Sequence, residues 1–384
     1  MVYCIAENII SPLGATTSQN LEAVLQGRSA LKIHQHWDMP EPFMGSLFED
    51  GTFEYKSFEN AIITSISAAL SQIPSLDVTS SRVALVLSST KGNTTITTNA
   101  EGIKTIGKTF SQSAENIAQA IGLKTKPITV SNACISGLSA QIQAMRMIEC
   151  GLYDTVIVSG CDIQSKFIVS GFQSFMALSI KQCRPFDEDR NGLNLGEAVA
   201  TIVYCNENVA MDKDLQKSLQ LKDNKIWALC KGSIRNDAFH ISGPSRTAEG
   251  SYRALRQIME GEDKSKIACI NAHGTATLYN DDMESRAIGR AEMLDIPTNS
   301  LKGYFGHTMG AAGILETILT MRSIADGTVI GTKGYNACGT ICELKMTSSH
   351  RSTDKTQFIK LMSGFGGCNA AALFKLVDVE ISAQ

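Results

Sequence analysis

Apolar runs without polar interruption alternate along this chain with stretches whose apolar positions recur every three or four residues. Arg82-Val-Ala-Leu-Val-Leu-Ser88 and Asp154-Thr-Val-Ile-Val-Ser-Gly160 are of the first kind and predict strands buried on both faces of a parallel sheet. Phe58 to Ile73 is of the second kind, with Ala61, Ile62, Ile66, Ala69 and Leu70 on one helical face. Ahead of these, Met1 to Ile10 reads as a strand turned by Ser11-Pro-Leu-Gly14. Thr17-Ser-Gln-Asn20 offers N-caps for a helix through Leu21, Val24 and Leu25, stopped by Gly27. Residues 34–58 show no period and read as loop, and a helix is expected from about Ser113 to Ile121.

A β-branched run from Ile128 ends in small residues, and Leu138 to Cys150 follows as a helix. With Asp154 to Gly160 this makes a strand–helix–strand unit, which implies a parallel sheet and a right-handed crossover. After Gly196 to Tyr204 the alternation starts again. Strands are expected at Ile226 to Cys230 and Lys266 to Ile270, and helices at Glu249 to Met259 and Met309 to Ile324. Strands at Phe358 to Met362 and Ala371 to Val377 complete the series. Element order alone thus divides the chain into two α/β halves, 1–205 and 206–384.

Composition narrows the class without naming a reaction. The 43% hydrophobic and 19% charged fractions describe a globular protein, and the net charge of -3 gives no argument for nucleic acid or a membrane surface. No apolar run is long enough to span a bilayer. Eleven cysteines lack paired short spacings apart from Cys338 and Cys342, which have no further zinc ligands nearby. Free thiols in a reducing cytoplasm and no metal are expected.

The chemistry concentrates at strand-to-helix junctions. Cys134, in Ile128-Thr-Val-Ser-Asn-Ala-Cys134-Ile-Ser-Gly137, lies where free N–H groups of a helix N-terminus lower a thiol pKa and can bind an oxyanion. Taken alone it is either a nucleophile or a small buried side chain. His273, in Asn271-Ala-His-Gly-Thr-Ala-Thr277, follows a buried strand. His307 sits in the glycine-rich Lys302-Gly-Tyr-Phe-Gly-His-Thr-Met-Gly-Ala-Ala-Gly313. Either histidine alone reads as a structural hydrogen bonder. A cysteine and two histidines at such junctions, where catalytic groups of α/β sheets collect, point to a site.

These pieces occur in order with others: Arg184-Pro-Phe-Asp-Glu-Asp-Arg-Asn-Gly192, Gly196-Glu197-Ala198, Asp281 with Glu284, Gly310-Ala-Ala-Gly313 with Glu316, and Gly364-Phe-Gly-Gly-Cys-Asn369. Together they resemble the β-ketoacyl-acyl carrier protein synthases of the Cys-His-His type, within the thiolase superfamily. The resemblance implies a five-layer αβαβα fold of two similar halves, each with a mixed five-stranded sheet, in which a buried helix begins at Cys134. It implies decarboxylative condensation of malonyl-carrier protein with a Cys134-bound acyl chain, in fatty acid or polyene/polyketide-type biosynthesis. His273 and His307 resemble the pair that polarises the malonyl thioester, and Lys302 and Glu316 the charged pair behind them. An ordinary structural ion pair remains open for the last two. The N–H groups of Cys134 and Phe365 resemble an oxyanion hole, and Phe365 a gate between glycines. Thr275 and Thr277, with Ser242 and Gly366, are expected along the phosphopantetheine or substrate path. Arg184-Pro-Phe-Asp187 and Glu197 read as scaffold.

The resemblance also implies an acyl carrier protein as partner, phosphopantetheine delivered on it, no tightly bound cofactor, and a homodimer or a heterodimer with a related subunit. A non-catalytic chain-length-factor-like partner is the alternative, and the presence of Cys134, His273 and His307 argues against it. Departures from the pattern are Ile5-Ala-Glu-Asn8 in the first strand, trimming around 35–60 and 90–115, Ile135, and Met176 where relatives carry a basic residue. Cys368 stands where threonine is usual and is read as structural.

Overall fold

The computed structural model describes residues 1–379 apart from 36–38, 40, 50–56, 94–95, 99–103, 107 and 220. Ten strands join in one sheet. The first half supplies β1 (Val2–Ile10), β2 (Val83–Ser88), β3 (Ile128–Val130), β4 (Thr155–Asp162) and β5 (Ala198–Cys205). The second supplies β6 (Lys225–Asn236), β7 (Ile267–Asn271), β8 (Thr298–Asn299), β9 (Gln357–Gly364) and β10 (Cys368–Asp378). The spatial order is β8-β7-β9-β10-β6-β1-β5-β4-β2-β3. Within each half the first, fifth, fourth, second and third strands are therefore neighbours in that sequence. The first three of these pair antiparallel and the last three parallel, identically in both halves. Within the sheet, and among the described residues, the halves pair at Val2 with Leu229 and Tyr3 with Ala228. Each half is thus a mixed five-stranded sheet. The strand–helix–strand unit of residues 128–160 differs from expectation in one respect: β3 and β4 are not neighbours, because β2 lies between them, parallel to both.

The helices of nine residues or more among the described residues are α1 (Thr17–Leu25), α2 (Phe58–Leu70), α3 (Phe110–Ala120), α4 (Ser136–Glu149), α5 (Lys166–Ser174), α6 (Glu249–Ile258), α7 (Leu278–Arg290) and α8 (Ala312–Ala325). One apolar cluster holds α4 and α8 between inward-facing residues of both halves, such as Val86, Val158 and Ile202 on one side and Leu229, Met362 and Phe374 on the other. A second packs α2 and α3 on the outer face of the first half, and a third packs α6 and α7 on the outer face of the second. Helix, sheet, helix, sheet, helix is the resulting five-layer order.

A helix buried on every side should be apolar all round, and α4 carries Gln141, Gln143 and Arg146. Arg146 is exposed and Gln143 half-buried. Gln141 is buried but satisfied: its Nε2 donates to Gly313 O at 3.0 Å, and its Oε1 accepts from the Tyr204 hydroxyl at 2.8 Å. The two central helices approach closely because Gly137 and Gly313 face each other. A Cβ on Gly137 would lie 2.7 Å from Gly310 O, and one on Gly313 2.5 Å from Leu138 N.

Local signals shift several boundaries. Thr16, not the residues after it, caps α1 by accepting the Gln19 N–H, and Asn20 is buried, donating to the carbonyls of Ile9, Gly14 and Thr16. A capping box of Thr109 and Gln112 starts α3 three residues earlier than its apolar period does. The stretch read as loop at 34–58 contains a strand, Phe43–Ser46, held antiparallel to Lys32–His34 and parallel to Leu195–Gly196, so pairing rather than period makes it extended. Within the trimmed 90–115 region Ile96–Thr98 pairs with Lys104–Ile106. Residues 36–38, 40, 50–56, 94–95, 99–103 and 107 of these stretches lie outside the described residues. All eleven cysteines are unpaired, and no described helix is long and apolar enough to cross a membrane.

Candidate active site

The loop after β3 makes a tight bend before α4. Ala133 adopts φ 45°, a left-handed conformation that costs a non-glycine residue about 1–2 kcal/mol. The Ser136 hydroxyl clamps the bend, donating to Ala133 O at 2.6 Å and accepting the Asn132 N–H at 2.8 Å. Cys134 is thereby set at the mouth of α4, against Gly364, where a Cβ would lie 3.0 Å from the Cys134 nitrogen. Because α4 and α8 meet at their glycines, the start of α8 brings His307 to the same place.

His307 is 1% exposed and held on both sides: its N–H donates to Asn194 O at 2.7 Å and its carbonyl accepts the Gly196 N–H at 3.0 Å. Its Nδ1 accepts the Met309 N–H at 3.3 Å, so the ring proton belongs on Nε2, which is buried without a partner. His273 follows β7 in a loop pinned by two buried carboxylates. Glu284 accepts the N–H groups of His273 and Gly274, each at 2.7 Å, and Asp281 accepts that of Thr275 at 2.9 Å. The two imidazoles cross edge to face with ring centres 4.9 Å apart. The Cys134 sulfur and a ring nitrogen from each histidine all lie within 4.8 Å of one another.

Burial controls the protonation states. Both histidines are driven well below the usual imidazole range, first by desolvation and then by the nearby Lys302 and Lys360 ammonium groups, with His307 adding its effect on His273. They are neutral at physiological pH. The thiol departs from expectation: burial pushes Cys134 up to about 11, outweighing Lys302 and the backbone groups of Phe365 and Cys134, which pull it down. It rests as a thiol and needs a proton acceptor to react. Glu284 is pushed up to about 7 and Asp281 to about 6, burial being the leading cause for each.

Lys302 and Glu316 form a buried ion pair, Nζ to Oε1 2.6 Å. Its other oxygen binds a second buried lysine, Lys360, at 2.5 Å. One thiol and two imidazoles also match a metal-ligating set, but two ammonium groups against one carboxylate beside them oppose a divalent cation. Asp162, at the end of β4, accepts from Ser89 Oγ, Thr90 N and Oγ1, Lys91 Nζ and Gly310 N at 2.7–3.0 Å, tying the first half to the start of α8.

A cavity of about 520 Å³ opens from Cys134, His273 and His307 to the surface. Thr275, Thr277 and Ser242 line it, the two threonine hydroxyls 2.8 Å apart. Gly366 lies behind the lining; its φ of 80° turns the segment and its N–H donates to Ile241 O. Phe365 is 36% exposed, stacks on Phe172 at 5.7 Å and meets Phe175 edge-on at 5.8 Å. Met176 stands 90% exposed at the rim. Cys368 also lines the cavity and donates to Asn132 Oδ1 at 2.9 Å, bracing the loop ahead of Cys134. Sequence reading missed Lys360 and Asp162. The available signal was a charged residue inside an apolar strand, as in Phe358-Ile-Lys-Leu-Met362, which costs too much to occur without a partner.

Two family profiles match, Beta-ketoacyl synthase, N-terminal domain over residues 55–210 and Beta-ketoacyl synthase, C-terminal domain over 228–336. Nodulation protein E of Rhizobium meliloti is 30% identical over 298 residues, covering 75% of this chain and 70% of that protein. The 3-oxoacyl-[acyl-carrier-protein] synthase 2 of Vibrio harveyi is 26% identical over 410 residues, covering 96% and 97%. The crystal structure of a beta-ketoacyl synthase from Burkholderia phymatum STM815 superposes with a TM-score of 0.84 at 24% identity, covering 98% and 99% of the two chains. The ishigamide ketosynthase/chain length factor does so at 0.83 and 20% identity, covering 98% and 99%.

Proposed function

Because this chain belongs to the beta-ketoacyl synthase family, we propose that its paired halves extend a carrier-bound acyl chain by two carbons, as 3-oxoacyl-[acyl-carrier-protein] synthases do. The observation that carries this reading is the convergence of one thiol and two neutral imidazoles within 4.8 Å, beside Cys134 and Phe365 backbone groups that pull the thiol pKa down.

In the first half-reaction Cys134 Sγ attacks the thioester carbonyl of an acyl-carrier protein. A new sulfur–carbon bond forms and the one to phosphopantetheine breaks. The developing oxyanion is received by the N–H groups of Cys134 and Phe365. His307 cannot take the thiol proton, since its Nε2 already carries one; His273 accepts it and returns it to the leaving thiolate. In the second, malonyl-carrier protein enters past Phe365, and its thioester oxygen accepts the His307 Nε2–H. His273, whose Nδ1 has no partner to fix its tautomer, now carries its proton on the site-facing nitrogen and donates the second N–H. The bond to the carboxylate breaks, carbon dioxide leaves, and the enolate carbon attacks the acyl-Cys134 carbonyl. The thiolate is expelled and takes up a proton, giving a 3-oxoacyl-carrier protein.

The phosphopantetheine arm arrives on the carrier and passes Thr275, Thr277 and Ser242. The partners in this reading are the acyl carrier protein and a second subunit, either another copy or a related synthase-like chain. The alternative of a non-catalytic partner subunit is disfavoured by the intact Cys134, His273 and His307 and by an open path to them.

Incubation with acyl- and malonyl-carrier proteins of several chain lengths, with product identification by mass spectrometry, tests the reading. A 3-oxoacyl product two carbons longer than the primer, absent with Cys134→Ala, is expected. No product with any primer, alone or with a related subunit supplied, overturns it.

A further inference from the structure

Strand β9 carries a lysine in its apolar interior, and Lys360 has 0% of its side chain exposed. Its Nζ reaches Glu316 Oε2 at 2.5 Å and the carbonyls of Asn271 and Ala272 at 3.3 and 3.4 Å. Those two residues immediately precede His273. Glu316 is already neutralised through its other oxygen by Lys302. A buried Lys302–Glu316 pair would be balanced without Lys360, and a second buried ammonium is costly. The Lys302–Glu316 pair alone therefore gives no reason for this lysine, and Glu284 is another buried carboxylate acting on it. Its position is more telling, because both imidazoles feel the Lys360 charge.

We propose that Lys360 is a positioning residue for the decarboxylating half-reaction, placing positive charge behind His273 and His307 on the side toward which the enolate develops. The proposal rests on the ketosynthase reading above. The charged and titratable groups around Lys360 are Glu316 on α8, Lys302 in the segment before it, Glu284 on α7, the Cys269 thiol on β7, and the two histidines. Burial pushes Lys360 down to about 8, with Glu316 and Glu284 opposing and Lys302 adding to the effect. Glu284, pushed up to about 7, governs a lower pH range, and both histidines are neutral throughout. Above about pH 8 that positive charge is lost with the Lys360 proton. In the unfolded chain the same lysine keeps its proton to its ordinary value, so folding is opposed most below pH 8 and the penalty fades as pH rises toward that value.

The test uses the full chain as wild type, Lys360→Met and Lys360→Arg. Cys134 acylation is followed by intact mass, and carbon dioxide release from malonyl-carrier protein is followed across the neutral and alkaline range. Lys360→Met should fold with a thermal midpoint at pH 7 no lower than wild type and acylate Cys134 within about twofold. It should release carbon dioxide about tenfold more slowly and lack the wild-type fall near pH 8. Lys360→Arg, keeping the charge, should restore the rate and move that fall to higher pH. Equal losses of acylation and carbon dioxide release in Lys360→Met overturn the proposal, as does an unchanged alkaline limb. A wild-type chain that does neither reaction overturns the ketosynthase reading, and this proposal with it.

Discussion

The two halves of the molecule share a strand order and pairing pattern yet carry different chemistry at matching places. After the third strand the first half passes through residues 131–135 straight into its central helix, and that short bend presents Cys134. The second half takes a longer path, 300–311, and fits Lys302 and His307 into it. At the end of the second strand the first half places Ser89, bound to Asp162, while the second places His273. Between the fourth and fifth strands the contrast reverses. The second half turns from Gly364 to Cys368 through Phe365-Gly-Gly, whereas the first makes an excursion from Asp162 to Ala198 that carries α5, Phe175 and Met176 over the mouth. One duplicated frame thus divides the work. In the proposed reaction the first half holds the nucleophile and much of the cover, and the second holds the imidazoles, the buried charge and the gating Phe365. Neither site is complete alone, because the Phe365 backbone pulls down the thiol pKa of the other half and Asp162 holds the helix that follows His307.

That division can be broken from either side. Cys134→Ala should cut condensation by about 10⁴-fold or more and remove acyl mass from the protein, while carbon dioxide release from malonyl-carrier protein persists. His307→Ala should do the converse, slowing carbon dioxide release by about 10²–10³-fold with acyl-Cys134 still detectable by intact mass. Gly313→Ala tests the contact that joins the halves: with a Cβ 2.5 Å from Leu138 N, denaturant titration should show a loss of about 1–3 kcal/mol. The smallest effect is one of pH. The histidines are neutral and give no acid limb; Glu284, with its pKa raised to about 7, does. Protonation as pH falls through 7 leaves it a poorer acceptor for the His273 and Gly274 N–H groups. Carbon dioxide release should therefore decline a fewfold below pH 7 in a rate profile, and Glu284→Gln should flatten that decline. The raised value also means that folding takes up a proton between the ordinary carboxylate value and 7, so this contribution to stability is lost as pH rises through that window.

How far the site was legible depended on whether the signal was local. Val83–Ser88 and Thr155–Asp162 could be read because a strand covered on both faces must be apolar throughout. Cys134, His273 and His307 stood out by their glycines and junctions, and a family resemblance gave them an order. Phe43–Ser46 was not readable, since it is extended by its pairing with residues 195–196, far away in sequence. The direction of the thiol shift was misjudged for a similar reason: the helix N-terminus is visible in the sequence, but the depth at which the fold buries the sulfur is not. Locally Lys360 is one charge in an apolar strand, and only the fold shows that Glu316 serves two lysines.

The most direct test of the shared labour is a single turnover with isolated acyl-enzyme. Wild-type protein carrying an acyl group on Cys134 is freed of excess donor and mixed with malonyl-carrier protein, and acyl mass, carbon dioxide and product are followed together. The division of roles predicts that acyl mass disappears as one equivalent of carbon dioxide and one of 3-oxoacyl-carrier protein appear. Carbon dioxide release with the acyl group left on Cys134, or loss of that group as free acid without condensation, would contradict it.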